Sequence, residues 1–195
     1  MRIKITFIMA ALVTILLACT EKKAKDTTIA SSETESKADA PNKVERGKYM
    51  VDVLGCADCH TPKKMSEHGP VNDIEKYMMG FETAAGLPPV PENVLLGPWV
   101  LFKGDLTAAV GPWGTSFAGN LTPHETGIGT WTLEQFTRAL REAKFKGLES
   151  SRPIMPPMPR HYAYLTDEDI EAIFSYLKSI KPIENVVPAY IPPSS

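Results

Sequence analysis

The sequence predicts a mainly α-helical domain behind an unstructured leader. Three observations carry this reading. Apolar residues recur at helical spacing just before residue 56, again over 132–147, and again over 166–182. The stretch 61–119 is rich in proline and glycine and keeps no period. Ahead of about residue 44, past an initial apolar run, there is no apolar periodicity.

The front of the chain is read first. Arg2 and Lys4 precede an apolar run from Ile5 to Ala18, too short to span a bilayer comfortably. It ends Leu16-Leu17-Ala18-Cys19, which resembles a bacterial lipobox. That resemblance implies a signal peptide over 1–18 and a lipidated Cys19. The other reading is an ordinary secretory peptide with a chance cysteine. Residues 19–43 are mostly Lys, Glu, Asp, Ser, Thr and Ala, which cannot bury enough apolar surface to offset the entropy of ordering. Such a linker spans on the order of 25–30 Å. It would hold a domain over 44–188 just off a bacterial membrane, outside the cytoplasm, facing the periplasm in a Gram-negative cell. Residues 189–195 form a Pro-rich tail. Without residues 1–18 the chain carries 19 Lys and Arg against 23 Asp and Glu, so its formal charge moves from −2 to −4. That balance is too mild for nucleic-acid binding.

With Cys19 assigned to the anchor, Cys56 and Cys59 remain, in Cys56-Ala57-Asp58-Cys59-His60. This is the attachment pattern of haem c. Two thiols three residues apart can each add to one vinyl group of a haem edge, and the histidine that follows then lies under the iron. A dithiol redox pair would expect a strand–helix context, which is missing. A zinc site would need His68, His124 or His161, and these lack paired knuckle spacing. One motif means one haem. Ahead of it, Gly47, Met50, Val51 and Leu54 share a helical face. After it, a carbonyl near Pro62 is expected to accept the His60 Nδ1 proton and leave Nε2 for iron.

The sixth iron ligand decides between electron transfer and catalysis. Met1 and Met9 leave with the signal, Met50 lies in the preceding helix, and Met65 is too close to His60 in sequence. Met78 and Met79 stay open. The best candidates are Met155 and Met158 in Arg152-Pro153-Ile154-Met155-Pro156-Pro157-Met158-Pro159, where four prolines forbid a helix and stiffen the loop. One is ligand and the other core, and spacing does not separate them. Thr132-Leu133-Glu134-Gln135 is a capping box for a helix with Phe136, Ala139 and Leu140 on one face and Gly147 near its end. Thr166 caps a last helix with Ile170, Ile173, Phe174 and Leu177 as its stripe, stopped by Pro182.

Helix, Cys-x-x-Cys-His, long loop, helix, methionine loop and terminal helix, in that order, resemble a class I cytochrome c domain. In that fold the first and last helices cross over one haem; here a long Pro/Gly-rich insertion is added. More narrowly, the chain resembles a bacterial single-haem and di-haem cytochrome c family. The shared motifs are Asn120-Leu121-Thr122-Pro123, Glu125 to Trp131, Pro156 to Pro159 and Leu165 to Asp169. The resemblance implies Met158 as axial ligand, with Met155 in the pocket. His124 stands where the family often has an acid, and Arg160 where it often has an aromatic. Arg160 is read either as a haem-propionate partner or as a solvated surface residue. Trp131 and Tyr162 are read as haem-packing residues.

In the insertion, Val94–Phe102 suggests a short hairpin, weakened by its central Gly-Pro. With Trp99, Phe102 and Trp113, the stretch walls one haem edge, as a docking surface or a plain shield. The functional expectation is a lipid-tethered, single-haem carrier, not an enzyme, passing single electrons between extracytoplasmic redox partners such as a dehydrogenase, an oxidase or another cytochrome. The alternatives are a peroxidase or gas sensor with a displaceable methionine and His161 as acid–base group, or a fixed subunit of a periplasmic dehydrogenase.

Overall fold

Asn42 opens the described fold by capping its first helix: its side chain accepts the Val44 N–H at 3.1 Å, and α1 follows over Lys43–Val53. The computed structural model describes residues 42–90 and 99–193. The expected signal peptide, Cys19, nearly all of the linker, and residues 94–98 of the expected hairpin lie outside the described residues. α1 buries Gly47, Met50 and Val51 on the anticipated face, with Leu54 half-buried as its C-cap. The short helix α2, Cys56–His60, comes directly after Gly55.

α3 covers Leu133–Arg141 and α4 covers Asp167–Ser179. The capping box is formed in full, with Thr132 Oγ1 accepting from Gln135 N and Gln135 Oε1 accepting from Thr132 N. α3 stops at Arg141, short of the expected Gly147. Ala143 turns to a φ of 51°, and Gly147 belongs to a separate 3₁₀ turn, Phe145–Gly147. α4 is capped by Thr166, whose hydroxyl accepts from Asp169 N at 3.1 Å. It buries Ile170, Ile173 and Leu177, while Phe174 packs on Phe136 with ring centroids 5.2 Å apart.

α1 and α4 meet backbone to backbone. A Cβ on Gly47 would stand 1.9 Å from the Ala172 carbonyl oxygen and 2.8 Å from Tyr176 Cβ. Arg46–Asp169 at 2.8 Å and Lys43–Glu171 at 2.5 Å flank the crossing. These pairs are substantially exposed, and such pairs contribute about 1 kcal/mol at most. Fully burying Val51, Ile170 or Leu177 stabilises by roughly 1.5–3 kcal/mol each. Burial, not charge, holds the two helices.

The insertion is where the structure departs from a mainly α reading. β1 (Lys63–Ser66) and β2 (Gly69–Asn72) form one antiparallel hairpin. β3 (Leu101–Phe102), β4 (Ala108–Gly111) and β5 (Gly114–Phe117) form a three-stranded antiparallel sheet. Leu101 and Phe102 pair forward with Val110 and Ala109. Strands of four residues or fewer are too short to display alternation, and Ala108, Ala109 and Val110 are all buried. The Pro-rich tail is also tied in, since Thr115 and Ile191 exchange backbone hydrogen bonds at 2.8 and 3.0 Å. Asn120, from Asn-Leu-Thr-Pro, is a buried latch for the segment after α4. Its Nδ2 donates to the Ile183 carbonyl at 2.9 Å, and its Oδ1 accepts from Thr122 N and Oγ1. Gly47→Ala forces the helices apart and is expected to cost about 3 kcal/mol or more in denaturant unfolding.

Candidate functional site

His60 is oriented by the insertion. Its Nδ1 lies 2.7 Å from the Gly119 carbonyl oxygen, 59 residues along the chain. The expectation of a carbonyl near Pro62 is corrected here: Pro62 O instead accepts Asp73 N at 2.9 Å, closing the β1–β2 hairpin. The His60 carbonyl accepts Gly80 N at 2.9 Å, and Phe81 N donates to Ala118 O at 2.9 Å. Gly80 makes this approach feasible. It sits at a φ of 76°, and a Cβ there would fall 2.4 Å from Ala118 O and 2.5 Å from Gly119 O. Phe81 and Phe117 stack edge to face with centroids 4.8 Å apart behind the same junction.

Burial pulls the His60 ring toward its neutral form, with the Gly119 carbonyl working the other way. A neutral ring that donates through Nδ1 keeps its Nε2 lone pair for a metal. Cys56 and Cys59 are free thiols, half-buried on successive turns of α2. Burial pushes the Cys56 thiol up to about 11 and Cys59 upward as well. At ordinary pH both side chains therefore stand as neutral thiols, the form that adds across a vinyl group. Among the described residues, no group of three or more His, Cys, Asp and Glu side chains is placed to hold a metal ion.

Lys63, which the sequence did not single out, closes the end of α2. Its ammonium donates to Asp58 O at 2.6 Å and Thr61 O at 2.9 Å, and lies 3.5 Å from both Ala57 O and Asp105 O. Burial lowers its pKa, partly offset by Asp58, Asp105 and Cys59.

The methionine loop is non-helical across 151–159, as four prolines require. Met158 is half-buried and lines a small hollow with Ala139, Leu140, Ala143, Ile154, Pro159 and Arg160. Met155 is half-buried. The loop is pinned from two sides: Ile154 N donates to Ala143 O at 2.6 Å, and Ser116 Oγ of β5 donates to Pro156 O at 2.6 Å. Met50 and Met78 are core residues, Met79 is buried, and Met65 is 78 % exposed. Arg160 is exposed and donates to Ile154 O at 3.2 Å. Trp131 packs half-buried against the main core. Tyr162 is buried and donates to Leu54 O at 2.7 Å, joining the loop to the residues just before Cys56. His161 is exposed, its ring edge to face with Tyr162. His124 is occupied with Thr126, 2.9 Å from its hydroxyl.

A family model described as cytochrome c matches residues 44–181. The chain belongs to the cytochrome c family. Among curated relatives it is 30 % identical over 142 residues to the cytochrome c subunit of a quinone alcohol dehydrogenase from Gluconobacter oxydans, covering 72 % of this chain and 22 % of that one. It is 28 % identical over 174 residues to the fructose dehydrogenase cytochrome subunit of Gluconobacter japonicus, covering 87 % and 27 %. It is 36 % identical over 148 residues to one of the subunits of nicotinate dehydrogenase from Pseudomonas putida, covering 75 % and 9 %. The match thus spans about a quarter or less of each relative.

A cytochrome c domain is an electron-transfer module that holds haem c covalently, and the residues present fit that group. Two unbridged thiols lie a turn apart, followed by an imidazole whose outer nitrogen is already committed. For this cytochrome domain, Tyr162 ties the two sides of the site by one bond. Tyr162→Phe is expected to cost about 1 kcal/mol at pH 7. Burial pushes the Tyr162 hydroxyl from 10.0 up to about 12, so its contribution is complete below pH 10 and is lost as pH rises through 12. Denaturant unfolding at pH 7 and pH 11 should show the gap between wild type and Tyr162→Phe closing at the higher pH.

Proposed function

We propose that this cytochrome is a single-haem electron carrier in which Cys56 and Cys59 hold the haem and His60 and Met158 are its axial ligands. Haem c supplies reversible one-electron chemistry between ferric and ferrous iron. The observation that carries the assignment is the His60–Gly119 bond, which prepares a fixed, neutral imidazole directly after the second thiol. Gly119 holds the ring from behind, so the ligand does not reorient when the charge on the iron changes. Ser116 and Ala143 anchor the methionine loop from opposite sides, which keeps a weak thioether donor in place. Met155 is the alternative donor, and Arg160 and Trp131 are available to a propionate and to the ring.

His161, the acid–base group of the peroxidase alternative, is exposed and packs edge to face on Tyr162. The relatives' names favour one variant of the carrier reading, a cytochrome working beside a dehydrogenase. Those names cover alcohol, fructose and nicotinate dehydrogenases, so the feature they share is an electron acceptor and not a substrate. Our reading of the front of the chain completes the proposal. Lipidation at Cys19 and the linker over 19–43 tether the carrier to a bacterial membrane, outside the cytoplasm, with a donor dehydrogenase and an acceptor oxidase or cytochrome as partners.

The test is optical. The oxidised protein should show the weak far-red band of thioether–iron coordination, one haem per chain and slow carbon monoxide binding. Met158→Ala should abolish the band and admit carbon monoxide, while Met155→Ala should keep the band. Loss of the band in Met155→Ala alone would move the ligand to Met155. Rapid carbon monoxide binding by the wild type would end the carrier reading.

A further inference from the structure

Lys63 is enclosed by backbone. The oxygens around its ammonium belong to Ala57, Asp58, Thr61 and Asp105, and all are main-chain carbonyls. Three of them belong to α2 and its exit, where the last carbonyls of a helix lack partners and gather partial negative charge. An ammonium has three protons and no acceptor, so this arrangement suits a cation. The fourth carbonyl comes from the turn before β4. There the Asp105 carboxylate is taken up by the Lys103 ammonium and by Thr107 N and Oγ1. Burial pushes the Asp105 carboxyl up, but Lys103 and Thr107 outweigh it and hold it below its usual range. The Asp105 carboxylate is therefore already occupied, and the Lys63 ammonium stands among the carbonyls at the end of the helix that carries His60.

We propose that Lys63 is a positioning residue that raises the reduction potential of the haem: it caps α2 and fixes a positive charge at the base of the Cys56–His60 helix. The proposal rests on the haem assignment above. Adding an electron to the iron lowers its net positive charge, so a fixed cation nearby favours the reduced form. The preference is larger where carbonyls replace water around the cation, because the effective dielectric is lower. No bond is made or broken and no proton moves; the electron comes from the mediator or electrode. The capping role and the electrostatic role separate chemically. Glutamine still donates to the Asp58 and Thr61 carbonyls but carries no charge, arginine keeps the charge, and methionine removes both.

The experiment is a spectroelectrochemical titration of holoprotein carrying Lys63→Gln, Lys63→Arg or Lys63→Met. Lys63→Gln should shift the equilibrium with a mediator about three- to tenfold toward the oxidised form, tenfold being about 59 mV for one electron. Its far-red thioether band should stay unchanged. Lys63→Met should shift at least as far, and Lys63→Arg should stay within about twofold of wild type. A Lys63→Gln protein with the band intact and an unchanged potential overturns the proposal. So does an equal shift in Lys63→Arg and Lys63→Gln, which would make packing the cause. If both neutral variants fail to retain haem while Lys63→Arg retains it, the charge is structural and the tuning role is wrong. A wild-type protein without haem on Cys56 and Cys59 would instead refute the assignment beneath the proposal.

Discussion

One hydrogen bond organises the site: His60 Nδ1 to the Gly119 carbonyl at 2.7 Å. A histidine that follows an attachment motif needs a partner on its outer nitrogen, or its ring turns and both tautomers populate. Here that partner comes from the far end of the insertion, so the intervening chain must return to within hydrogen-bonding distance of its own start. The return has identifiable causes. Phe81 is buried and stacked on Phe117, Gly80 leaves space for the Ala118 and Gly119 carbonyls, and β4 buries Ala108, Ala109 and Val110. Each hydrogen bond in this junction contributes about 1 kcal/mol. Burying Phe81 alone is worth roughly 1.5–3 kcal/mol. Apolar packing places the strand end, and the hydrogen bonds select its register.

The same sheet also reaches the methionine loop. Ser116 holds the Pro156 carbonyl from β5, three residues before Gly119, and Thr115 pairs with Ile191 beyond the last helix. Histidine and methionine loop are thus referred to one short strand. In an electron carrier this matters, because each ångström of ligand movement between oxidation states adds to the barrier. The insertion, read from the sequence as a wall, braces both segments in the fold.

What was legible in the sequence follows from range. The caps at Thr132 and Thr166 and the buried stripes of α1 and α4 are local events set by residues three or four apart, and the α-helical frame was readable from them; the Asn42 cap was not singled out. So was the attachment motif, whose chemistry is complete in five residues. Gly119 was not readable, because a backbone carbonyl carries no side-chain signature and its partner is 59 positions away. Lys63 was not singled out either, since its partners are carbonyls. Apart from Leu101–Phe102, which lies within the hairpin expected over Val94–Phe102, the strands of the insertion escaped because each is four residues long. Asn120 was quoted only as part of a shared motif, and its latch on Ile183 emerges once the C-terminal segment folds back.

The matched relatives are several times longer than this chain, so similar domains occur within larger proteins. The central claim is that Gly119 orients His60, and nuclear magnetic resonance of the ferrous holoprotein with ¹⁵N-labelled histidine tests it directly. The account predicts a His60 Nδ1 proton that exchanges over hours and shows close contacts to Gly119. Exchange within seconds, or contacts to Pro62 instead, would contradict it.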